Sequence, residues 1–354
     1  MNILWYNWKD TRHPGAGGAE NYTYEIARRL VTKGHSVTLF VSEFDGCRKE
    51  ECVDGISIIR DGGKYSVYPK AKSFYKQKGK EFDVVVDEIN TRPFLTPKFV
   101  GDSKIVALIH QLAREFWFYE TPLPVALVGY FFFEKRWLRN YIHVPTITVS
   151  ESTRKDLDTI GFEKVFLVPN GLNVKPVSEV PEKTEKPTII YVGRMKKAKR
   201  PQDVIKAFRI VKQQVPDAQL WMVGDGYLRK RLEGRAKDVK FFGYVDNKTR
   251  DDLIKRSWVL AVPGVREGWG QVVTDSNALG TPGVGYNIPG LRDSIKDEYS
   301  GLLVDNNPNS LASGLIRTLR DNALRETLSK KALQRALQFS WERSANEFAE
   351  VIES

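Results

Sequence analysis

Two acidic residues, Glu267 and Asp275, bracket a glycine-containing segment whose chemistry suits an anionic ligand rich in hydroxyl groups. The segment Arg266–Asp275 has the sequence R-E-G-W-G-Q-V-V-T-D and follows the apolar run 258–263, which predicts a buried parallel strand. Apolar spacing after Gly270 predicts a helix that begins near this residue. The N–H groups and dipole at a helix N-terminus favour an anion, and carboxylates accept hydrogen bonds from hydroxyls. A sugar nucleotide fits this description, and the simpler alternative is a helix-end acid followed by a solvated one.

Several cations follow an earlier predicted strand, Thr188–Val192. Ligands of open parallel sheets bind at the carboxyl ends of the strands, which is where these cations fall. The guanidinium of Arg194 can bind a diphosphate through two parallel hydrogen bonds, and Lys199 adds a mobile point charge. An ordinary basic loop is the alternative, which suits the other three cations, Lys196, Lys197 and Arg200.

Four motifs, in order along the chain, resemble those of the family 4 glycosyltransferases, which are retaining enzymes with the GT-B fold. They are Gly17-Gly18-Ala19-Glu20, Val192-Gly193-Arg194 with Lys199, Val223-Gly224-Asp225-Gly226-Tyr227-Leu228, and Glu267 through Asp275. Two positions depart from the family pattern. Tyr227 replaces the usual proline of V-G-D-G-P-L, and Asp275 is one methylene shorter than the usual second glutamate.

The resemblance implies a role for each motif. Arg194 and Lys199 would hold the donor diphosphate, Glu267 would face the hydroxyls of the transferred sugar, and Asp275 would bind the nucleotide ribose. The remaining donor-binding residues are expected in the two glycine-containing turns: Gly17, Gly18, Gly268, Trp269, Gly270 and Gln271.

His110 is the candidate catalytic residue of the N-terminal half. It follows the predicted strand 104–109, at the edge of the sheet where a catalytic group of an open α/β fold would lie. It also matches the histidine that the family places beside the donor sugar. A surface or helix-capping role is the alternative.

Strands and helices alternate in two series, which predicts two Rossmann-like, doubly wound α/β domains. The expected boundaries are 1–168 for the acceptor-side domain, 169–187 for a proline-rich linker, and 188–338 for the nucleotide-sugar-binding domain. In the GT-B fold the two domains face a central cleft. By the same resemblance, the last segment, 339–354, is a helix that returns to the first domain.

Composition is that of a soluble globular protein, with 41% hydrophobic and 28% charged residues, and no apolar run approaches a membrane span. The first predicted strand begins at the N-terminus, without the basic start and cleavage site of a signal peptide. The chain has only two cysteines, which is typical of a reducing compartment, so a cytoplasmic location is expected. No metal is expected, because the only D-x-D, Asp156-Leu157-Asp158, falls on a predicted helix. No cofactor is expected either, since the nucleotide sugar, linked to UDP or GDP, is a substrate.

Two segments combine basic and aromatic residues, Lys64–Lys80 and Phe116–Arg139. They suit an anionic membrane surface at the inner face of the cell membrane, and the alternatives are a solvated lysine face and an ordinary amphipathic helix. The net charge of +11 fits a lipid surface, nucleic acid or an anionic substrate. Nucleic acid ranks low because no nucleic-acid-binding motif is present.

The sequence therefore predicts a retaining hexosyltransferase that moves a mannose- or glucose-type sugar from a nucleoside diphosphate to an acceptor hydroxyl, with a lipid-linked or glycan acceptor. The alternative from another class is a non-catalytic sugar-nucleotide or lipid-surface binding protein of the same fold. A dinucleotide-dependent oxidoreductase is disfavoured, because the third glycine of a G-x-G-x-x-G motif starting at Gly15 would fall on Glu20.

Overall fold

The computed structural model describes residues 1–236 and 238–354, and these residues divide into two units. Unit 1 comprises 1–171 and 340–354, and unit 2 comprises 172–339. The stretch that the sequence predicts as a linker, 169–187, spans this division, and its later part packs within unit 2. Lys183, for example, donates from Nζ to the carbonyl oxygens of Lys255 and Gly280 at 2.9 Å each.

Unit 1 is organised by a sheet of strand order β3-β4-β2-β1-β5-β6-β7-β8. All neighbouring strands are parallel except β3, which runs antiparallel to β4 at the edge. The strands are β1 (Asn2–Tyr6), β2 (Ser36–Val41), β3 (Glu50–Val53), β4 (Ile56–Arg60), β5 (Val84–Glu88), β6 (Lys104–Ile109), β7 (Thr146–Thr148) and β8 (Val165–Leu167). Strands β1 and β5 carry continuous apolar runs because helices cover both faces of a parallel sheet.

The helices of unit 1 are α1 (Gly18–Thr32), α2 (Val67–Lys78), α3 (Phe116–Glu120), α4 (Leu123–Val128), α5 (Glu134–Leu138), α6 (Glu151–Asp158) and α14 (Trp341–Glu353), with a π-helical turn at Gly129–Phe133. The terminal helix α14 belongs to this unit, as the GT-B resemblance implies. The ring of Phe348 stacks on Trp5 of β1 with 5.0 Å between centroids, and Trp341 meets the edge of Tyr22. These buried aromatic pairs fix α14 against α1 and the sheet.

Unit 2 is a parallel sheet of order β11-β10-β9-β12-β13-β14. Its strands are β9 (Thr188–Val192), β10 (Gln219–Val223), β11 (Lys240–Gly243), β12 (Val259–Val262), β13 (Gly283–Tyr286) and β14 (Gly301–Val304). Its helices are α7 (Pro201–Gln214), α8 (Arg229–Glu233), α9 (Asn247–Arg256), α10 (Gln271–Ala278), α11 (Leu291–Ser294), α12 (Pro308–Arg320) and α13 (Asn322–Ala336). The order reverses between β9 and β12, so the loops that follow these two strands diverge at the edge where ligands of such sheets bind.

The doubly wound α/β architecture predicted from the sequence is confirmed in both units. The predicted helix start near Gly270 is also confirmed, since α10 begins at Gln271. One strand escaped prediction. The segment Glu50–Val53 has no apolar run, and it forms β3 at a partly exposed sheet edge where polar residues are tolerated.

Candidate functional site

The central feature of unit 2 is an ion pair between Lys199 and Glu267. Nζ of the lysine lies 2.5 and 2.7 Å from the two carboxylate oxygens, so the contact is bidentate. Lys199 ends a 3₁₀ turn, Lys197–Lys199, in the loop after β9, and Glu267 lies in the loop between β12 and α10. The two side chains keep 31% and 14% of their surface exposed, so an incoming ligand can reach both charges.

Backbone contacts fix the loop that carries Glu267. The amide N of Val265 donates to the carbonyl of Ala198 at 3.0 Å, which joins this loop to the basic turn. The amide N of Glu267 donates to Pro289 at 3.2 Å. Gly290 has φ +83°, and a Cβ atom there would lie 2.1 Å from the carbonyl oxygen of Glu267, so only glycine permits this close approach. The carboxylate is therefore held in place by its backbone as well as by Lys199.

The predicted donor-binding residues Gly268, Trp269, Gly270 and Gln271 form the turn that enters α10. Gly270 is the N-cap at φ +85°, and as a glycine it has no side chain of its own to cap the helix. Trp269 is buried and packs edge-on against Phe339 with 5.1 Å between centroids. This turn places the N-terminus of α10, with its partial positive charge, four residues after Glu267 in the chain.

Asp275, predicted to bind a ribose, is buried inside unit 2. One carboxylate oxygen accepts hydrogen bonds from the backbone N of Asn173 and from Nε2 of Gln271, both at 2.9 Å. Burial raises the pKa of Asp275 to about 6, although these hydrogen bonds oppose the shift. The structure therefore gives Asp275 a second partner, Asn173, that no sequence motif pointed to, and its contact with a ribose stays a prediction.

The raised pKa of Asp275 predicts a specific pH dependence of stability. Because burial penalises the charged form, the penalty is present above pH 6 and is relieved as the pH falls towards 4. Relative to Asp275→Asn, the wild-type free energy of unfolding should rise by about 1 kcal/mol from pH 7 to pH 5. Urea unfolding of both proteins at the two pH values measures this difference. Parallel pH profiles would show that the carboxyl group titrates normally.

Arg194, the other predicted diphosphate ligand, directly follows Gly193 in the loop after β9, and its side chain is exposed. The hydroxyl of Tyr191, which is itself buried, donates to the carbonyl of Arg194 at 3.1 Å. Strand β9 therefore sets the backbone of Arg194, while the guanidinium extends to the surface at the carboxyl edge of the sheet.

In unit 1, His110 forms a buried pair with Glu88. Nε2 of His110 lies 3.1 Å from the carboxylate of Glu88, at the end of the neighbouring strand β5. The other carboxylate oxygen of Glu88 accepts from Nε1 of Trp5 at 2.9 Å and from the hydroxyl of Thr23. This carboxylate fixes the orientation of the imidazole, as in other carboxylate–histidine pairs. Sequence reasoning missed Glu88, although an acid that ends a buried apolar strand was a usable signal.

The predicted glycine turn at Gly17 and Gly18 opens α1. The amide N of Gly17 donates to the carboxylate of Glu20 at 2.6 Å, so this motif acid caps the helix. The carboxylate also pairs with Nζ of Lys9 at 3.0 Å, and the same Nζ donates to the carbonyl of Gly15 at 2.7 Å. Lys9 thus holds the long loop before α1. Because Gly17 and Gly18 have no side chains, a ligand can approach their backbone closely.

A buried carboxylate also fixes the loop that follows His110. Glu134, the first residue of α5, accepts from the amide N of Ala113 at 2.5 Å and from that of Arg114 at 3.0 Å. Burial raises the pKa of Glu134, while the two N–H groups favour its charged form. Arg114 has φ +40°, a left-handed conformation that is uncommon outside glycine. The paired hydrogen bonds to Glu134 stabilise this conformation.

The two basic-aromatic segments differ in what they expose. In Lys64–Lys80 two of the aromatic rings pack inward, since Tyr68 lies against Phe94 and Phe74 against Phe40, whereas Tyr65 is exposed. In Phe116–Arg139 a set of apolar side chains is exposed to solvent. We call this set the apolar surface, and it comprises Phe118, Leu123, Val125, Leu127, Val128, Phe131, Phe132 and Phe133. Exposed clusters of this kind mark interaction sites.

Asp156 and Asp158 of the D-x-D lie on α6, as the sequence predicts. Among residues 1–236 and 238–354, no three His, Cys, Asp or Glu side chains cluster as metal ligands would. Within the same residues, no helix combines the length and hydropathy that crossing a bilayer requires. Cys47 and Cys52 are free thiols.

Two family models match the chain, one in each half. Residues 177–335 match the model for glycosyl transferases group 1, and residues 16–175 match that for glycosyltransferase family 4. Together they include every motif on which the resemblance was based.

Curated relatives share about 30% identity over part of their length. An uncharacterised glycosyltransferase of Methanocaldococcus jannaschii is 29% identical over 61% of each chain. A D-inositol 3-phosphate glycosyltransferase of Jonesia denitrificans is 31% identical over 47% of this chain and 42% of its own. A phosphatidyl-myo-inositol mannosyltransferase of Mycobacterium leprae is 27% identical over 59% of this chain and 58% of its own. The matches therefore span between two fifths and two thirds of these relatives.

Solved structures with the GT-B architecture match the whole chain. Sucrose-phosphate synthase from Thermosynechococcus elongatus has a TM-score of 0.82 at 21% identity and covers 100% of this chain and 98% of its own. WaaG, a glycosyltransferase involved in lipopolysaccharide biosynthesis, has a TM-score of 0.79 at 18% identity, with 99% of both chains covered. Anabaena HepE, solved with UDP-glucose, has a TM-score of 0.74 at 16% identity, with 100% and 99% covered. At these identities the likeness establishes the fold.

Proposed function

Since the chain belongs to the group 1 and family 4 glycosyltransferases, we propose that it is a retaining hexosyltransferase that uses a nucleoside-diphosphate sugar. The observation that carries the proposal is the ion pair between Lys199 and Glu267, which lies in the loop that leads into α10. It joins a cation for phosphate and an acceptor of hydroxyl hydrogen bonds in one partly exposed site.

The donor diphosphate is assigned to Arg194, Lys199 and the first turn of α10. These groups stabilise the negative charge that develops on the leaving diphosphate. Glu267 accepts hydrogen bonds from the sugar hydroxyls. The leading donors are UDP- and GDP-linked hexoses. Support comes from the UDP-glucose bound to Anabaena HepE and from the mannosyltransferase among the relatives.

The reaction that we propose is front-face displacement. The bond from the anomeric carbon to the leaving diphosphate breaks, and the bond to the acceptor oxygen forms on the same face. The acceptor hydroxyl gives its proton to an oxygen of the leaving phosphate. Arg194, Lys199 and the α10 terminus supply the positive charge that this step requires, so the proposal includes no metal ion. His110, oriented by Glu88, is assigned to the reacting face of the sugar on the family resemblance.

A thermal-shift screen followed by a turnover assay tests the proposal. Ligands that bind only the folded protein raise its melting temperature, so UDP, GDP, ADP and their hexose conjugates are compared first. The best donor is then incubated with the protein, and release of the nucleoside diphosphate is measured with and without acceptor. Absence of any shift would reject the donor site. Binding without donor hydrolysis or transfer would favour the non-catalytic alternative.

We further propose that the acceptor is lipid-linked or membrane-proximal and that the apolar surface docks on an anionic bilayer. Phe131 and Phe132 are 61% and 68% exposed, and the cations Lys135, Arg136 and Arg139 follow in the same segment, after Phe133 and Glu134. Apolar side chains can insert at the boundary of the acyl chains, and cations are attracted to the anionic headgroups. This combination therefore suits an anionic bilayer. The lysines of Lys64–Lys80 would add mainly charge, because Tyr68 and Phe74 of this segment pack inward.

We expect Phe131→Ser/Phe132→Ser to lower the affinity for phosphatidylglycerol vesicles by at least about tenfold, because two partly inserted rings are lost. Sedimentation with phosphatidylglycerol and with phosphatidylcholine vesicles measures the effect. Binding should also weaken with salt, since screening acts over about 8–10 Å at ordinary ionic strength.

Tyr65→Ser is the matched control, because Tyr65 is an aromatic residue with 71% exposure in the lysine-rich segment. It should bind vesicles like the wild type. If the double variant and the wild type sediment equally, the apolar surface does not contact lipid. If the wild type binds neither kind of vesicle at low salt, membrane docking is wrong and a soluble acceptor is favoured.

A further inference from the structure

Tyr227 occupies the place where the family motif has proline, and its hydroxyl makes a contact that proline cannot make. The amide N of Lys197 donates to the Tyr227 hydroxyl at 2.8 Å. The ring stays 57% exposed. Because Tyr227 is partly exposed and bound through its hydroxyl, its function is to hold the neighbouring loop and not to pack in the hydrophobic core.

The loops after β9 and β10 are held together by a series of hydrogen bonds. The amide N of Met195 donates to the carbonyl of Asp225 at 2.8 Å, and the amide N of Leu228 donates back to Met195 at 3.1 Å. Gly226 has φ +154°, and a Cβ atom there would lie 2.6 Å from the carbonyl oxygen of Met195. The Tyr227–Lys197 bond extends this series by one step towards the basic turn.

The residue that Tyr227 binds is the first of the 3₁₀ turn that ends at Lys199. Amide groups at the start of a helical turn have no partner within it, and the Tyr227 hydroxyl supplies one. On its other side, the turn is joined to the Glu267 loop through Ala198 and Val265. The two residues that precede Lys199 are therefore both anchored, Ala198 by the Glu267 loop and Lys197 by the Tyr227 hydroxyl.

We propose that Tyr227 is a positioning residue that holds the basic turn so that Lys199 meets the donor diphosphate. The proposal rests on the function proposed above, because it assigns Lys199 to the diphosphate. Tyr227 acts through the turn and not by touching the ligand. Tyr227 should therefore contribute to binding of the β-phosphate and make no contribution to binding of the nucleoside.

The test is calorimetric binding of UDP with UMP, and of GDP with GMP, to wild type, Tyr227→Phe, Tyr227→Pro and Lys199→Ala. Loss of the hydroxyl in Tyr227→Phe should weaken diphosphate binding about three- to tenfold and leave monophosphate binding unchanged. Tyr227→Pro, which carries the family residue, should behave like Tyr227→Phe or worse. Tyr244→Phe is the control, since Tyr244 is a tyrosine of the same unit with 84% exposure.

The outcomes separate the two proposals. If Lys199→Ala loses diphosphate affinity and Tyr227→Phe does not, the positioning role is wrong and the proposed function stands. Equal losses for mono- and diphosphate in Tyr227→Phe, with a lower melting temperature, would also overturn the positioning role. If Lys199→Ala binds both diphosphates like the wild type, or if the wild type binds neither, the diphosphate site itself is wrong and the positioning role falls with it.

Discussion

Replacing Glu267 by glutamine should lower kcat/KM for sugar transfer about 10- to 100-fold, because a charge-assisted contact to the sugar is lost. The amide keeps the size of the side chain but presents an N–H₂ donor where the carboxylate only accepts. The binding of the nucleoside diphosphate should be retained or tightened, because the positive charge of Lys199 is no longer neutralised at 2.5–2.7 Å.

The combination of lost transfer and retained diphosphate binding distinguishes a sugar contact from a structural role. Steady-state kinetics and calorimetry with UDP and GDP measure the two effects. Glu298→Gln is the matched control in the same unit, since Glu298 is a half-exposed glutamate paired with Arg317 and lies outside the proposed site. Full activity of Glu267→Gln would leave Glu267 as a helix-end residue that only balances Lys199.

Lys199→Ala and Arg194→Ala should each reduce kcat/KM by about 10- to 100-fold, because each charged contact to the diphosphate contributes about 1.5–3 kcal/mol. Lys199→Ala should be the more damaging of the two, since it also leaves the Glu267 carboxylate facing the incoming diphosphate without its cation. Both variants should weaken diphosphate binding, which separates them from Glu267→Gln.

Lys197→Ala is the control for these two variants. Lys197 is an exposed lysine of the same turn, and alanine keeps the backbone N–H that donates to Tyr227. It should retain near wild-type kinetics, and unfolding in urea should show that all three variants are folded. Near wild-type activity in both Lys199→Ala and Arg194→Ala would contradict the assignment of the diphosphate site.

Local patterns were enough to predict the parallel strands, because a strand buried on both faces needs a continuous apolar run. They also located the start of α10, since Gly270 adopts the positive φ that favours glycine. The motif spacing placed Lys199 and Glu267 in loops after β9 and β12, which adjoin in the sheet, and the structure brings the two side chains together.

What the sequence could not provide were partners distant along the chain. The bond from Asn173 to Asp275 joins residues 102 positions apart, and the His110–Glu88 pair depends on the neighbouring positions of β5 and β6. The sequence also did not show which side chains are exposed to solvent. Lys64–Lys80 and Phe116–Arg139 both combine basic and aromatic residues, yet Phe74 of the first packs inward and Phe131 and Phe132 of the second are exposed. Neither kind of fact is encoded in a local pattern.

The Glu134 contact limits how this protein can be engineered. Solubility design commonly replaces exposed phenylalanines with polar residues, and Phe131, Phe132 and Phe133 are obvious targets. Glu134 comes next in the chain, and its carboxylate holds the loop three residues beyond His110. Substitutions that change the course of this turn would release Arg114 from its left-handed conformation. A mutant library designed to improve solubility should therefore vary the three phenylalanines and keep Glu134 constant.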